Sequence, residues 1–228
     1  MQAEQPDDLL AMLMEARDQE TGEGMNDDQL RNEIITMLVA GHETTANALT
    51  WAFALVALHP HVEEKLHNEL RDVLDGRTPT MQDLPNLPYS KMVIDEAIRL
   101  YPPAWAISRQ SINEDEIDGY HIQADAGMVM MPYTLHRHPK LWQNPEHFDP
   151  ERFSPERSAN RHKYSYIPFG AGPQMCIGKT FALTEAQLVL ATIAQRYWLR
   201  LLHNNPLLPE PMITLRPRHE VIANVYAR

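Results

Sequence analysis

A single cysteine stands in the 228 residues, at position 176. On identity alone it reads as a small buried hydrophobe, but its neighbours change that reading. Phe169-Gly170-Ala171-Gly172-Pro173-Gln174-Met175-Cys176-Ile177-Gly178 is a glycine-punctuated loop running into a predicted helix. Such a loop puts the sulfur near free backbone N–H groups and the positive helix end, and both stabilise a thiolate. Gly170, Gly172 and Gly178 also let a flat, bulky partner approach the backbone closely. A thiolate with that much room suggests a metal cofactor rather than a bare nucleophile. A redox-sensing or nucleophilic thiol at a helix end is the competing reading; it explains the cysteine and nothing else.

Two further segments carry polar groups where apolar ones would be expected. Ala40-Gly41-His42-Glu43-Thr44-Thr45 interrupts the longest apolar region, Ile34 to Leu58. Its bland reading is a satisfied glutamate with threonines bonding back to the preceding turn. Its chemical reading is a carboxylate, two hydroxyls and a glycine opening a groove for a small molecule and waters. Glu96 and Arg99 stand three apart, a spacing that on a helix usually means a solvated ion pair. Arg152, in Pro150-Glu151-Arg152-Phe153, supplies a second cation. If buried, the three would anchor an irregular passage to the helix, a role in specificity more than in stability.

Several elements must position these groups. Asn26 is a good N-cap, with Asp27 and Asp28 in the positive first turn and Gln29 at the capping-box position. A helix of about 30 residues follows until Pro60 stops it, about 45 Å long at the standard rise. Its second half is apolar on most sides and should run through a core. Val62–Leu74 reads as an amphipathic helix, and Tyr89–Tyr101 as another, ended by Pro102-Pro103. From Ala104 to Leu135 short runs and the Asp118-Gly119 turn signal predict small strands. Residues 136–175 hold six prolines and read as a long, ordered, mostly irregular passage, which usually has a functional reason. A last helix spans about Gly178–Tyr197, followed by short strands, of which Val221–Val225 is the clearest. The fold class is mainly α with a small β-sheet.

Composition excludes other classes. With 43% hydrophobic and 22% charged residues the chain is neither disordered nor fibrous. A formal charge of -11 argues against a general nucleic-acid binder. The charge is uneven: residues 1–33 hold ten acids and two bases, residues 157–228 three acids and nine bases. One cysteine cannot form an internal disulfide, and neither a signal peptide nor an uninterrupted apolar span is visible, so a cytoplasmic setting is expected.

In this order, the segments resemble the C-terminal half of a cytochrome P-450, the haem-thiolate monooxygenase family. The resemblance runs from roughly Pro6 to the C-terminus and is most specific over Phe169–Gly178 and Ala40–Thr45. Glu96/Arg99 and Glu151-Arg152-Phe153 fall where the family places them. It implies the C-terminal part of that fold: long central helix, helix with the Glu-x-x-Arg pair, irregular meander and cysteine-ligand loop. It implies haem b (iron protoporphyrin IX) as cofactor, with Cys176 as the axial thiolate on the iron. Phe169, Gly170, Gly178, Arg109 and Gln174 would be cofactor-binding, Arg109 meeting a haem propionate. Glu43 and Thr44 would hold waters and relay protons. Glu96, Arg99 and Arg152 match the family's structural triad. Trp105, Ala106, Ile107 and Ile213 resemble substrate-facing positions. The implied reaction inserts one oxygen atom of O₂ into a small apolar organic substrate, with electrons from a separate ferredoxin, flavodoxin or reductase that the basic end would attract.

Two departures accompany the resemblance. Gln174 stands where the family usually has arginine, two residues before the cysteine; a neutral amide can hydrogen-bond a propionate but cannot neutralise it. Residues 1–228 also correspond to only the C-terminal portion of the family's domain, with the N-terminal half absent. A truncated non-catalytic haem- or partner-binding fragment, one part of a split enzyme, and association through an uncovered apolar face are therefore expectations too.

Overall fold

A computed structural model of the chain describes residues 8–202 and 207–228. The chain divides into two compact units, residues 1–43 and 44–228. In the first, a short helix α1 (Leu9–Glu15) is capped by the Asp8 carboxylate, which accepts from the Ala11 N–H at 2.9 Å. This helix was not foreseen, because it buries no residue and so carries no apolar periodicity. The long helix α2 (Asp27–Leu58) opens in this unit. The expected capping box is formed: the Asn26 side chain accepts from Gln29 N–H at 2.9 Å, and the Gln29 side chain from Asn26 N–H at 3.0 Å. Ile34, Ile35, Leu38 and Val39 are exposed on this part of the helix.

The second unit holds the core. The remainder of α2 contributes Ala52, Leu55 and Val56 to it, as its apolar composition required. Pro60 ends α2 and begins α3 (Pro60–Leu74): it has no N–H to continue one helix, and that N–H is not needed in the first turn of the next. On α3, Val62, Leu66, Leu70 and Leu74 recur every fourth residue and are at most 1% exposed. Asp75 and Gly76, both at positive φ, close the helix. The next helix, α4 (Pro88–Leu100), is capped from α3, because the Glu69 carboxylate accepts from the N–H groups of Tyr89 at 2.5 Å and Ser90 at 2.8 Å. The last long helix, α7 (Lys179–Ala194), adds Ala186, Leu190 and Ala191 to the same core.

The strands form four separate antiparallel pairs rather than one small sheet. β1 (Ile107–Gln110) pairs with β4 (Gly127–Met130), and β2 (Asp115–Ile117) with β3 (Tyr120–Ile122) across Asp118 and Gly119, both at positive φ as a two-residue hairpin turn requires. β5 (Tyr197–Leu201) pairs with β8 (Ala223–Ala227), and β6 (Pro209–Pro211) with β7 (Leu215–Pro217). The terminal strand thus lies two residues later than Val221–Val225, its register being set by the partner strand rather than by its own apolar run. Short helical turns punctuate the Pro-rich passage: α5 (Pro132–Leu135) leads into it, and α6 (Pro155–Ser158) and one-turn 3-10 helices at Pro150–Phe153, Lys163–Ser165 and Gly172–Gln174 lie along it. Among the described residues no helix is long and apolar enough to cross a membrane.

Leu70 is fully buried in this core, so Leu70→Ala should destabilise the chain by about 3 kcal/mol. Met81→Ala, at a side chain 68% exposed, should change stability by less than about 0.5 kcal/mol. Urea denaturation followed by far-ultraviolet circular dichroism checks both.

Candidate cofactor site

The site is built outward from a buried carboxylate. Glu96 and Arg99 lie one turn apart on α4, neither exposed. Arg99 donates to Glu96 Oε2 through Nε at 2.6 Å and to Oε1 through Nη2 at 2.8 Å. Its other N–H groups reach carbonyls of the irregular passage: His136 and Pro145 at 2.8 Å and His147 at 3.2 Å. All five guanidinium donors are thereby used. Arg152 Nε donates to Glu96 Oε1 at 3.2 Å, and its remaining nitrogens bond the carbonyls of Gln143 and Asn144. The Asp149 N–H adds a further donor to Glu96 at 3.0 Å. Burial pushes the Glu96 carboxyl upward, and these donors and both guanidinium charges pull it back. One acid and two cations leave a net positive charge indoors, offset by the ring of backbone carbonyls.

This cluster holds the passage that leads to the cysteine. The His136 imidazole is fully buried, with Nδ1 3.3 Å from Arg99 O and Nε2 accepting the Ile167 N–H at 3.0 Å. Beyond Ile167 the loop closes on itself: Gly170 N–H donates to Ile167 O at 3.0 Å, Met175 N–H to Gly172 O at 3.1 Å, and Cys176 N–H to Phe169 O at 2.9 Å. Gly170 (φ 75°) and Gly172 (φ 76°) occupy the left-handed region that glycine adopts without strain. Phe169 packs against the core. The Cys176 sulfur is exposed, and a Cβ at Gly178 would lie 3.9 Å from it. Cys176 is therefore not a buried hydrophobe. Ile177 and Phe181 beside it are 94% and 73% exposed.

The other predicted residues fall around the loop to differing degrees. Ile107 on β1 reaches Gly170, whose Cβ would lie 3.9 Å from Ile107 Cδ1. Ala106 is half-buried beside it, and Arg109, two residues on, donates to Ser108 O at 2.8 Å. Gln174 is exposed in its 3-10 turn. Trp105 Nε1 donates to Met212 O at 2.9 Å, which brings Trp105 next to the fully protruding Ile213. Sequence reasoning missed what fixes this corner. Asn47 Nδ2 donates to Thr214 Oγ1 at 2.9 Å and Trp51 Nε1 to Leu215 O at 3.1 Å, so α2 holds the β6–β7 turn. Thr44 is one turn before Asn47 on the same helix side. Glu43 and Thr44 are half-buried, whereas Thr45 is buried. The helix is unbroken through Gly41 to Thr45, so the groove imagined there is not made by helix rupture. The basic end is less available than its composition suggested: Arg157, Arg200 and Arg228 pair with Asp149 or Glu63, outside the basic segment.

The family model for cytochrome P450 matches residues 1–222. The chain is 42% identical over 208 residues to cyclooctatin synthase of Streptomyces melanosporofaciens, covering 91% of this chain and 45% of that protein. It is 36% identical to pentalenene oxygenase of Streptomyces avermitilis over 193 residues, covering 85% of this chain and 43% of that protein. Its structure superposes on the crystal structure of the cytochrome P450DA heme domain with a TM-score of 0.91 at 34% identity, covering 97% of this chain and 49% of the other. The chain belongs to the cytochrome P450 family and spans about half the length of these relatives. Haem b is the cofactor expected of that family. The loop fits such a group: Cys176 is exposed, and the neighbouring glycines present no side chains.

Glu96→Ala would strand two buried guanidinium groups and should destabilise the chain by about 3–5 kcal/mol in urea titrations. Burial depresses the His136 pKa from 6.5 to about 3, so the unfolded chain takes up this proton well before the folded one. Its contribution is complete above 6.5 and declines as pH falls toward 3, by about 2 kcal/mol between pH 6.5 and 5. Urea midpoints across that range should show this component lost in His136→Phe.

Proposed function

We propose that residues 1–228 form the C-terminal portion of a haem-thiolate monooxygenase domain and that Cys176 would hold the haem iron through its thiolate. The observation that carries this is an exposed cysteine in a closed glycine loop, hung from the buried Glu96–Arg99–Arg152 cluster. A bound haem would supply O₂ activation, with the thiolate's electron density favouring O–O cleavage. The balance is RH + O₂ + 2e⁻ + 2H⁺ → ROH + H₂O. The chain's own residues do the rest. Cys176 would ligate the iron; Phe169, Gly170 and Gly178 shape the sulfur's surroundings; Arg109 and Gln174 would hold propionates, by charge and by hydrogen bonding respectively. Glu43 and Thr44 hold and pass the protons that the reduction to water consumes.

Trp105, Ala106, Ile107 and Ile213 give the substrate side an apolar and aromatic character, which supports a small apolar organic substrate. The similarity to a protein named pentalenene oxygenase agrees with that class. The proposed source of the electrons is a ferredoxin, flavodoxin or reductase. Because the relatives extend over about twice this length, turnover is assigned to the whole domain, and a haem-binding but non-catalytic half is the second reading.

Haem-reconstituted, reduced chain should give a carbon-monoxide difference band of the thiolate type, abolished in Cys176→Ala. An imidazole-type band unchanged by that substitution would overturn the assignment. Turnover on adding the N-terminal half of a relative would separate the catalytic reading from the non-catalytic one.

A further inference from the structure

The His136 side chain hydrogen-bonds both the helix of the Glu96–Arg99 pair and the stretch of chain entering the cysteine loop. Its backbone carbonyl accepts from Arg99 Nη1 at 2.8 Å while its ring faces Arg99 O and the Ile167 N–H, so it is held at both ends. The Ile167 N–H can only donate. Nε2 must therefore be unprotonated, and in a neutral imidazole the proton sits on Nδ1, facing Arg99 O. Tyr166 backs this arrangement, its ring centroid 5.2 Å from that of His136 and its hydroxyl donating to Asp95 O at 3.0 Å. Ile167 is in turn the base of the loop, since its carbonyl accepts from Gly170 N–H at 3.0 Å. Three bonds thus lead from Arg99 through the imidazole and Ile167 to the turn that Cys176 N–H closes on Phe169 O.

We propose that His136 is a positioning residue for the Cys176 thiolate: its Nε2 fixes the base of the cysteine loop and thereby the direction of the sulfur. The chemistry needed is a rigid buried acceptor about one ring-width from α4, which an aliphatic side chain cannot supply and a longer carboxylate would supply only with a buried charge. Orientation by a group outside the ligand set is how protein sites tune a ligating atom. The proposal rests on the reading of Cys176 as the haem ligand.

The test uses the native chain and two variants. In ¹⁵N-histidine spectra of the native chain His136 should show protonated Nδ1 and bare Nε2. His136→Phe keeps the ring's bulk but orphans the Ile167 N–H; hydrogen exchange from Ile167 to Cys176 should rise roughly tenfold while α4 and α7 are unchanged. His136→Gln, whose Oε1 can accept from Ile167, should stay within roughly threefold of native. After haem loading, His136→Phe should lose part of the thiolate-type carbon-monoxide band and His136→Gln retain it. A protonated Nε2 in the native chain, unaltered loop exchange in His136→Phe, or equal loosening of α4 would overturn the proposal. If His136→Phe does not fold, the native tautomer and the His136→Gln exchange decide. A native chain with the expected tautomer and exchange but no thiolate-type band would sink the haem reading instead, so the two failures are distinguishable.

Discussion

A carboxylate with no exposed surface, facing two guanidinium groups, is the constraint on which the functional half of this molecule depends. Taking Glu96, Arg99 and Arg152 out of water is expensive, and the mutual attraction alone does not return the full expense. What makes the cluster tenable is that its remaining donors bond carbonyls of the chain between His136 and His147. Those carbonyls belong to a passage with little regular structure, in which local turns pair only some of the backbone groups. The charges and the irregular chain therefore satisfy each other. Within a helix or sheet interior these carbonyls would be engaged by backbone N–H groups instead.

The consequence travels to the cysteine loop. Loops are ordinarily the mobile part of a fold. Here the loop is tethered at its entry through His136 and Tyr166, closed internally by the Gly170, Met175 and Cys176 N–H groups, and continued directly into α7, whose other face lies in the core. Cys176 is thereby exposed without its loop being free to wander, which suits the ligation proposed for it. The positive-φ glycines are part of the same solution, since a side-chained residue at φ near 75° would be strained where the chain must turn most sharply.

Exposure around the sulfur has a counterpart elsewhere in the second unit. Trp105 and Ile213 are drawn together by an indole bond to Met212 O, and the β6–β7 turn is fastened to α2 by Asn47 and Trp51. A wall of apolar side chains is thereby fixed by polar contacts behind it. This division of labour is common in binding sites, where few polar groups set the orientation of largely apolar surfaces.

Much of this was legible in the residues themselves. The capping box at Asn26, the helix break at Pro60, the every-fourth-residue stripe on α3 and the hairpin turn at Asp118-Gly119 are local, and short-range sterics and hydrogen bonding decide them. The cysteine loop and the Glu96/Arg99 spacing were readable for the same reason, as patterns within a few residues. The register of β8, the cap that Glu69 gives to α4, the Asn47–Thr214 contact and the role of His136 were not readable, because each joins residues many positions apart. His136 in sequence is one of eleven histidines with nothing to distinguish it. The sequence by itself determined which groups were available and how the chain would coil locally; only the tertiary structure decided which were desolvated together, and desolvation is what turns an ordinary ion pair, imidazole or thiol into a fixed part of a site.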